Sequence, residues 1–136
     1  MAVNATAPIL LTQAFAKHAA AGKAGQAGHV VNLLDADIVK HHGSHFFYLL
    51  SKKTLAEFTQ MAARDLGPNI RVNGICIGSA LPSDQNPPNY QEKLEARLPL
   101  RQLGNVDDVL QSLDYLMASP RTTGQLLFPD SGQHLL

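Results

Sequence analysis

The 136-residue sequence has no tryptophan and only one cysteine, Cys76. With one cysteine no disulfide can form within the chain, and a lone thiol in an apolar stretch favours a reducing compartment. Eleven basic residues balance 11 acidic ones, so the chain lacks the excess positive charge by which proteins bind nucleic acid or anionic membranes. We therefore predict no nucleic-acid partner and no membrane association.

Long apolar runs are also missing. No stretch reaches the roughly 20 apolar residues that a membrane span needs. The beginning, MAVNATAPILL, has no basic region before its apolar run and is not typical of a signal peptide. Hydrophobic residues nevertheless make up 45% of the chain and charged residues 16%, as in folded domains. We expect one globular domain, residues 1–136, in the cytoplasm.

Alternating helices and strands are predicted along the chain. Helical spacings and stop signals favour four helices, and buried apolar runs favour three strands. The helices are expected at 7–21, 45–66, 90–98 and 105–118, the strands at 29–34, 70–77 and 125–128, loops at 22–28, 35–43 and 78–90, and a turn at 130–132. This alternation indicates an α/β fold, a doubly wound parallel sheet between two layers of helices.

Tyr48 and Lys52 lie four residues apart on a predicted helix, so they share one face. An ammonium group beside a phenol lowers the pKa of the tyrosine toward a range in which it can donate or accept a proton. Taken alone the pair is weak, since an ordinary helix with one exposed lysine has the same spacing. Whether the Tyr48–Lys52 pair forms a functional site depends on which residues lie around it in the fold.

Asp35 lies 13 residues before Tyr48, at the predicted end of a strand. Open parallel sheets place their ligands at the carboxyl ends of strands. The helix that carries Tyr48 returns past that end, and the next strand ends at Gly78 on the same edge. We therefore expect Asp35, the Tyr48–Lys52 pair and residues 78–84 to meet in one crevice.

Three histidines, His41, His42 and His45, cluster before the helix that carries Tyr48. Neither a cysteine nor a carboxylate completes a tetrahedral ligand set at a familiar spacing. We interpret the cluster as a solvated loop and predict no metal site.

Five segments follow one another in the order VNLLD, YLLSK, IRVNGICIG, PLRQLGNVDDV and TGQLLFPDSG. They resemble the C-terminal half of the short-chain dehydrogenase/reductases, over essentially the whole chain. The resemblance implies the second half of a Rossmann-type sheet, with the N-terminal βαβ units and their glycine-rich pyrophosphate turn missing. The glycines of residues 22–28 have the wrong spacing and lie between a helix and a strand, so we interpret them as a connector.

The resemblance also implies roles for particular residues. Tyr48 would be the proton donor, Lys52 would bind the nicotinamide ribose, and Asn4 would complete a catalytic tetrad through a water relay. The implied cofactor is NADPH, with NADH as the alternative. Its nicotinamide end would lie against Tyr48, Lys52, Gly78, Ser79, Ala80 and Leu81.

Asp35 stands where the family has its catalytic serine, 13 residues before the tyrosine, so we count Asp35 with Tyr48, Lys52 and Asn4 as a candidate catalytic residue. An aspartate there resembles the pteridine reductases and the short-chain-type dihydromonapterin or dihydrofolate reductases. The run DYLMASPRTTGQLLFPDSGQHL is also similar to the dihydromonapterin reductases. Because a carboxylate can accept hydrogen bonds from the ring nitrogens and amino group of a pterin, Asp35 and Tyr48 are the expected substrate-binding residues.

The resemblance implies an NADPH-dependent oxidoreductase that reduces a pterin-like substrate, of dihydromonapterin, dihydrofolate or biopterin type. Two alternatives stay open: a general carbonyl or alcohol dehydrogenase of the same superfamily, and an inactive fragment or assembly partner. The family also implies a dimer or tetramer of identical chains. We expect the 136 residues alone to be inactive and to need their missing half, from further residues or from another chain.

Overall fold

The computed structural model describes residues 1–21, 28–41, 45–81 and 86–136. In this part of the chain three strands form one sheet, in the order β1–β2–β3, and both pairings are parallel. The strands are β1 (Gly28–Asp35), β2 (Ile70–Ile77) and β3 (Leu126–Leu127). The three predicted strands are confirmed, the last as a shorter one. Most of the predicted loop at 22–28, together with His42, lies outside the described residues.

Within the described residues, four α-helices alternate with the strands as predicted. They are α1 (Ala7–Ala21), α2 (Phe46–Asp65), α3 (Tyr90–Glu95) and α4 (Val106–Ala118). Helix α3 ends at Glu95, earlier than predicted, and the chain continues in turns, with the N–H groups of Arg97 and Leu98 donating to the Leu94 carbonyl. None of the helices in the described ranges is long and apolar enough to cross a membrane.

Three short helical turns complete the fold. They are a π-helical turn at Ala2–Thr6 and 3-10 turns at Ala36–Val39 and Gln133–Leu135. The prediction of an irregular loop over 35–43 is therefore wrong at 36–39. The physical reason is local: the Asp35 side chain accepts a hydrogen bond from the backbone N–H of Asp37 and caps the turn.

Helices cover both faces of the sheet, as predicted. On one face, Leu34 and Cys76 pack against Leu55 and Ala56 of α2, and α1 adds Ala16 and Ala19 to a second cluster around Val72. Side chains of a strand alternate between its faces. Arg71 therefore points to the opposite face, where its guanidinium donates to the carbonyl oxygens of Leu116 and Ser119 at the end of α4.

Strands β1 and β2 run side by side over their full length, from the pair Gly28–Ile70 to the pair Asp35–Ile77. Both strands therefore end at the same level. Asp35 is the last residue of β1, and Gly78 follows β2 directly beside it. The register thus creates the common edge at which the sequence predicts a site.

Candidate active site at the carboxyl edge of the sheet

Tyr48 and Asp35 are in direct contact at this edge. The Tyr48 hydroxyl donates a hydrogen bond to Oδ2 of Asp35 over 2.9 Å. Tyr48 lies in the first turn of α2. This helix begins immediately after His45, whose backbone has φ 53°. The two side chains that strand-end geometry predicted to be neighbours are therefore brought together by the start of one helix and the end of one strand.

The Asp35 carboxylate is held at both oxygens. Oδ1 accepts from the backbone N–H of Asp37 at 2.8 Å, and Oδ2 accepts from Tyr48. A carboxylate that caps its own backbone two residues ahead forms a local turn that fixes its orientation. Asp35 is half-buried, so it presents a charged acceptor in a defined direction.

Lys52 lies one helical turn after Tyr48 on α2. Its ammonium donates to the carbonyl oxygen of Leu33 over 2.9 Å, and Nζ is 5.9 Å from the centre of the Tyr48 ring. The lysine is thus tied to the backbone of β1, close to the phenol but not bonded to it.

The electrostatics of the pair differ from the prediction. The pKa of Tyr48 is raised well above its ordinary value of 10.0, first by burial and then by the charge of Asp35 and the hydrogen bond to it. Burial lowers the pKa of Lys52, against the opposing effect of Asp35. The expectation of a lowered pKa for Tyr48 is therefore wrong, first because burial disfavours the phenolate and then because the neighbouring charge of Asp35 is negative.

Asn4 belongs to the π-helical turn at Ala2–Thr6, and this turn packs against α2. The Asn4 side chain is half-buried, but no hydrogen bond joins it to Tyr48 or Lys52. Turns of this kind are rare and are frequently found at functional sites. The structure thus places Asn4 on an element that contacts the Tyr48 helix, without a direct link to the pair.

The segment after β2 begins with a close approach. A Cβ atom on Gly78 would lie 2.9 Å from both Asp130 Cβ and Gln133 Oε1, so only glycine fits at this position. The backbone N–H of Ala80 donates to the Gly78 carbonyl at 2.8 Å, which tightens the chain immediately. Leu81 is exposed, and the remainder of the predicted segment, 82–84, lies outside the described residues.

Gln133 is the residue at this edge that sequence reasoning missed. Its Oε1 accepts from the backbone N–H of Ser79 over 2.9 Å, although the two residues are 54 positions apart. The sequence indicates only a turn at 130–132, and no pattern connects that turn to the end of β2. The C-terminal segment therefore belongs to the surroundings of the site.

A family model described as enoyl-(acyl carrier protein) reductase matches residues 1–134. The chain is 27% identical over 135 residues to the dihydromonapterin reductase of Enterobacter sp. (strain 638), covering 99% of this chain and 56% of that protein. It is 31% identical over 139 aligned positions to pteridine reductase 1 of Leishmania tarentolae, covering 97% and 48%. The chain thus spans about half the length of these relatives.

Two solved structures have the same fold over nearly the whole chain. One is FolM alternative dihydrofolate reductase 1 from Brucella suis in complex with NADP, with a TM-score of 0.91, 34% identity, and coverage of 99% of this chain and 53% of that one. The other is the Brucella canis protein of the same name, complexed with NADP, with a TM-score of 0.86, 34% identity, and coverage of 95% and 50%. The described sheet therefore corresponds to half of a Rossmann-like domain.

Proposed function

Because the chain belongs to the short-chain dehydrogenase/reductase family, we propose that the whole protein is an NADPH-dependent reductase of a pterin-like substrate, with Tyr48 as proton donor. The observation that carries this proposal is the hydrogen bond from Tyr48 to Asp35 at the carboxyl edge of the sheet. The names of the similar proteins, which are dihydromonapterin, pteridine and alternative dihydrofolate reductases, support the substrate class.

The residues at this edge fit the nicotinamide end of NADPH. Because Gly78 has no side chain, the backbone packs directly against Asp130 and Gln133, which fixes where the segment 78–81 leaves β2 beside Asp35. The ammonium group of Lys52 has three N–H donors. One of them is hydrogen-bonded to the Leu33 carbonyl. We propose that Lys52 donates to the ribose hydroxyls. Bound NADPH would supply the hydride, and the NADP complexes of the similar proteins support this choice of cofactor.

The raised pKa of Tyr48 keeps the phenol protonated but makes it a weaker acid than an ordinary tyrosine. A phenol with a pKa above its ordinary value is fully protonated at neutral pH, so Tyr48 carries the proton that a reduced substrate must receive. The same shift makes the phenolate costly, and the charge of Asp35 is one of its causes. Lys52, with Nζ at 5.9 Å from the ring, is the cation that would offset this cost.

Asp35 would orient the substrate and tune the proton transfer. A pterin offers an amino group and ring N–H groups to a carboxylate acceptor. A substrate donor on Asp35 would take up part of its charge, so that Asp35 would oppose phenolate formation less. Simple ketones have no such donors. Asp35 therefore favours a pterin over a simple carbonyl substrate.

We further propose that the protein forms a homo-oligomer, a dimer or a tetramer, through the outer surface of α1 and α2. An apolar groove between these helices is lined by residues that include Ile9, Leu10, Phe58 and Met61, and Leu10 and Met61 are exposed. Light scattering of the purified protein should give a multiple of the protomer mass. Met61→Lys should shift that mass toward the protomer.

The substrate assignment is tested by assaying the whole protein with NADPH and each of dihydromonapterin, dihydrofolate and simple ketones. Oxidation of NADPH with the pterins is expected. Activity on ketones alone would support the general carbonyl dehydrogenase instead. No activity with any of these substrates would favour the non-catalytic assembly partner.

The catalytic assignment is tested by Tyr48→Phe. Loss of the proton donor should lower kcat by on the order of 10²- to 10⁴-fold. Tyr115→Phe is the matched control, since Tyr115 is exposed on α4 and should leave kcat unchanged. An unchanged rate in Tyr48→Phe would remove Tyr48 from the mechanism.

A further inference from the structure

The last residues of the chain connect the two sides of the candidate site. The 3-10 turn at Gln133–Leu135 packs against the 3-10 turn at Ala36–Val39, which follows Asp35. From the same turn, the Gln133 side chain reaches the backbone of Ser79, the second residue after β2. One short segment therefore contacts both the substrate side and the cofactor side of the edge.

This segment is rigidly anchored by Asp130. Asp130 is 3% exposed, and its side chain accepts from the backbone N–H groups of Gly132 at 3.0 Å and His134 at 2.7 Å. Nδ1 of His134 lies 2.9 Å from the same carboxylate, and the His134 ring lies against that of Phe128 with centroids 4.5 Å apart. Gln133 is thus held between neighbours that are themselves fixed.

Gln133 in turn fixes the start of the segment after β2. Its Oε1 is 2.9 Å from the Ser79 nitrogen, and Gly78 is in close approach to the same oxygen and to Asp130. Ser79 is half-buried, and a buried N–H without a partner costs free energy. The Ser79 peptide therefore keeps one orientation for as long as the Gln133 acceptor is present.

We propose that Gln133 is a positioning residue for the nicotinamide end of the cofactor, acting through the Ser79 peptide. This rests on the proposed function, in which the backbone of 78–81 borders the nicotinamide. Gln133 itself touches neither substrate nor cofactor. Gln133 holds the Ser79 peptide, and the residues around that peptide border the nicotinamide. Loss of the Gln133 acceptor should therefore weaken productive cofactor binding and leave the substrate contacts at Asp35 intact.

The experiment compares three variants of the whole protein. Gln133→Met keeps the shape of the side chain but removes the acceptor, Gln133→Glu retains an acceptor, and Gln60→Met makes the same change at an exposed position of α2. Gln133→Met should raise KM for NADPH about threefold to tenfold, the equivalent of one hydrogen bond. KM for the pterin should be unchanged. Gln133→Glu and Gln60→Met should stay within about twofold of the unaltered protein.

Two results would overturn the proposal. One is a KM for NADPH in Gln133→Met that equals that of Gln60→Met. The other is an equal loss in Gln133→Met and Gln133→Glu together with a lower Tm, which would mean that Gln133 only supports the fold.

A direct NADPH titration of the same variants separates this proposal from the proposed function. If the protein binds NADPH but reduces no pterin, the substrate assignment fails. The dissociation constant of the Gln133→Met variant for NADPH then tests the positioning role of Gln133 independently of the substrate. Weaker binding supports the role of Gln133, and unchanged binding refutes it.

Discussion

The phenol of Tyr48 donates to the carboxylate of Asp35 across 2.9 Å, so the proton of this pair is held on the tyrosine. Burial is the largest cause of the raised pKa of Tyr48, and the charge of Asp35 acts in the same direction. The aspartate therefore has an electrostatic effect on the site as well as a geometric one.

Replacing Asp35 with asparagine should lower the pKa of Tyr48 toward its ordinary value. Asparagine removes the charge and keeps an oxygen acceptor. The measurement is an ultraviolet titration of tyrosine ionisation in a protein whose Tyr90 and Tyr115 are phenylalanine. Asp107→Asn, on the remote helix α4, is the control and should change nothing. An unaltered Tyr48 titration in Asp35→Asn would contradict the assigned cause.

The same shift predicts how stability depends on pH. The folded-state pKa of Tyr48 lies above the unfolded value of 10.0, so folding favours the protonated phenol. Its contribution to stability is complete below pH 10 and is lost as the pH rises through the folded-state pKa. Tyr48→Phe should therefore flatten the decline of the free energy of unfolding in alkaline urea titrations.

Arg71→Met should destabilise the protein strongly. The Arg71 guanidinium donates to three carbonyl oxygens, those of Leu116, Ser119 and Thr122, and so connects β2 to the end of α4. Removing a charged donor from several half-buried acceptors costs about 3 kcal/mol. Arg64→Met, at an exposed position of α2, should cost a few tenths of that. Equal urea midpoints for the two variants would contradict the prediction.

Cys76 should be inert in the folded protein. Burial, with the charges of Asp130 and Asp35, raises the pKa of its thiol to about 12, and the thiolate is the reactive form. Alkylation at neutral pH should proceed only after unfolding in urea, which mass spectrometry can follow. Rapid alkylation without denaturant would show that the strand opens.

Asn105→Ala should destabilise α4 by about 1 kcal/mol. The Asn105 side chain accepts from the backbone N–H of Asp108, whose carboxylate accepts from the N–H of Asn105 in return. Alanine removes the first of these bonds. Asn105→Ser retains a capping oxygen and should recover most of the loss in Tm. No difference between the two variants would exclude the cap as a source of stability.

The part of the site that follows from the sheet could be predicted from the sequence. Buried apolar runs locate β1 and β2, and parallel strands end at a common edge, which brings Asp35 close to Tyr48. Capping at Asn105 was equally predictable, because it depends on residues only three positions apart.

Contacts between distant side chains and backbone atoms were not predictable in this way. Lys52 shares a helical face with Tyr48, yet its ammonium is bonded to Leu33, because backbone carbonyls compete for any donor and leave no pattern in the sequence. The hydrogen bond of Gln133 to Ser79 depends on how the C-terminal turn docks. Helical and strand periodicities describe only local geometry, so they cannot predict a contact between residues far apart in the sequence.

The register between β1 and β2 also sets the position of Asp35 relative to Tyr48. Successive residues of a strand face opposite sides, so a slip of a single position would turn every side chain of β1 over. Asp35, now level with Ile77, would then leave the position from which its carboxylate accepts the hydrogen bond of Tyr48. The hydroxyl of Tyr48 and the carboxylate that accepts its hydrogen bond are thus aligned by strand pairing along eight residues.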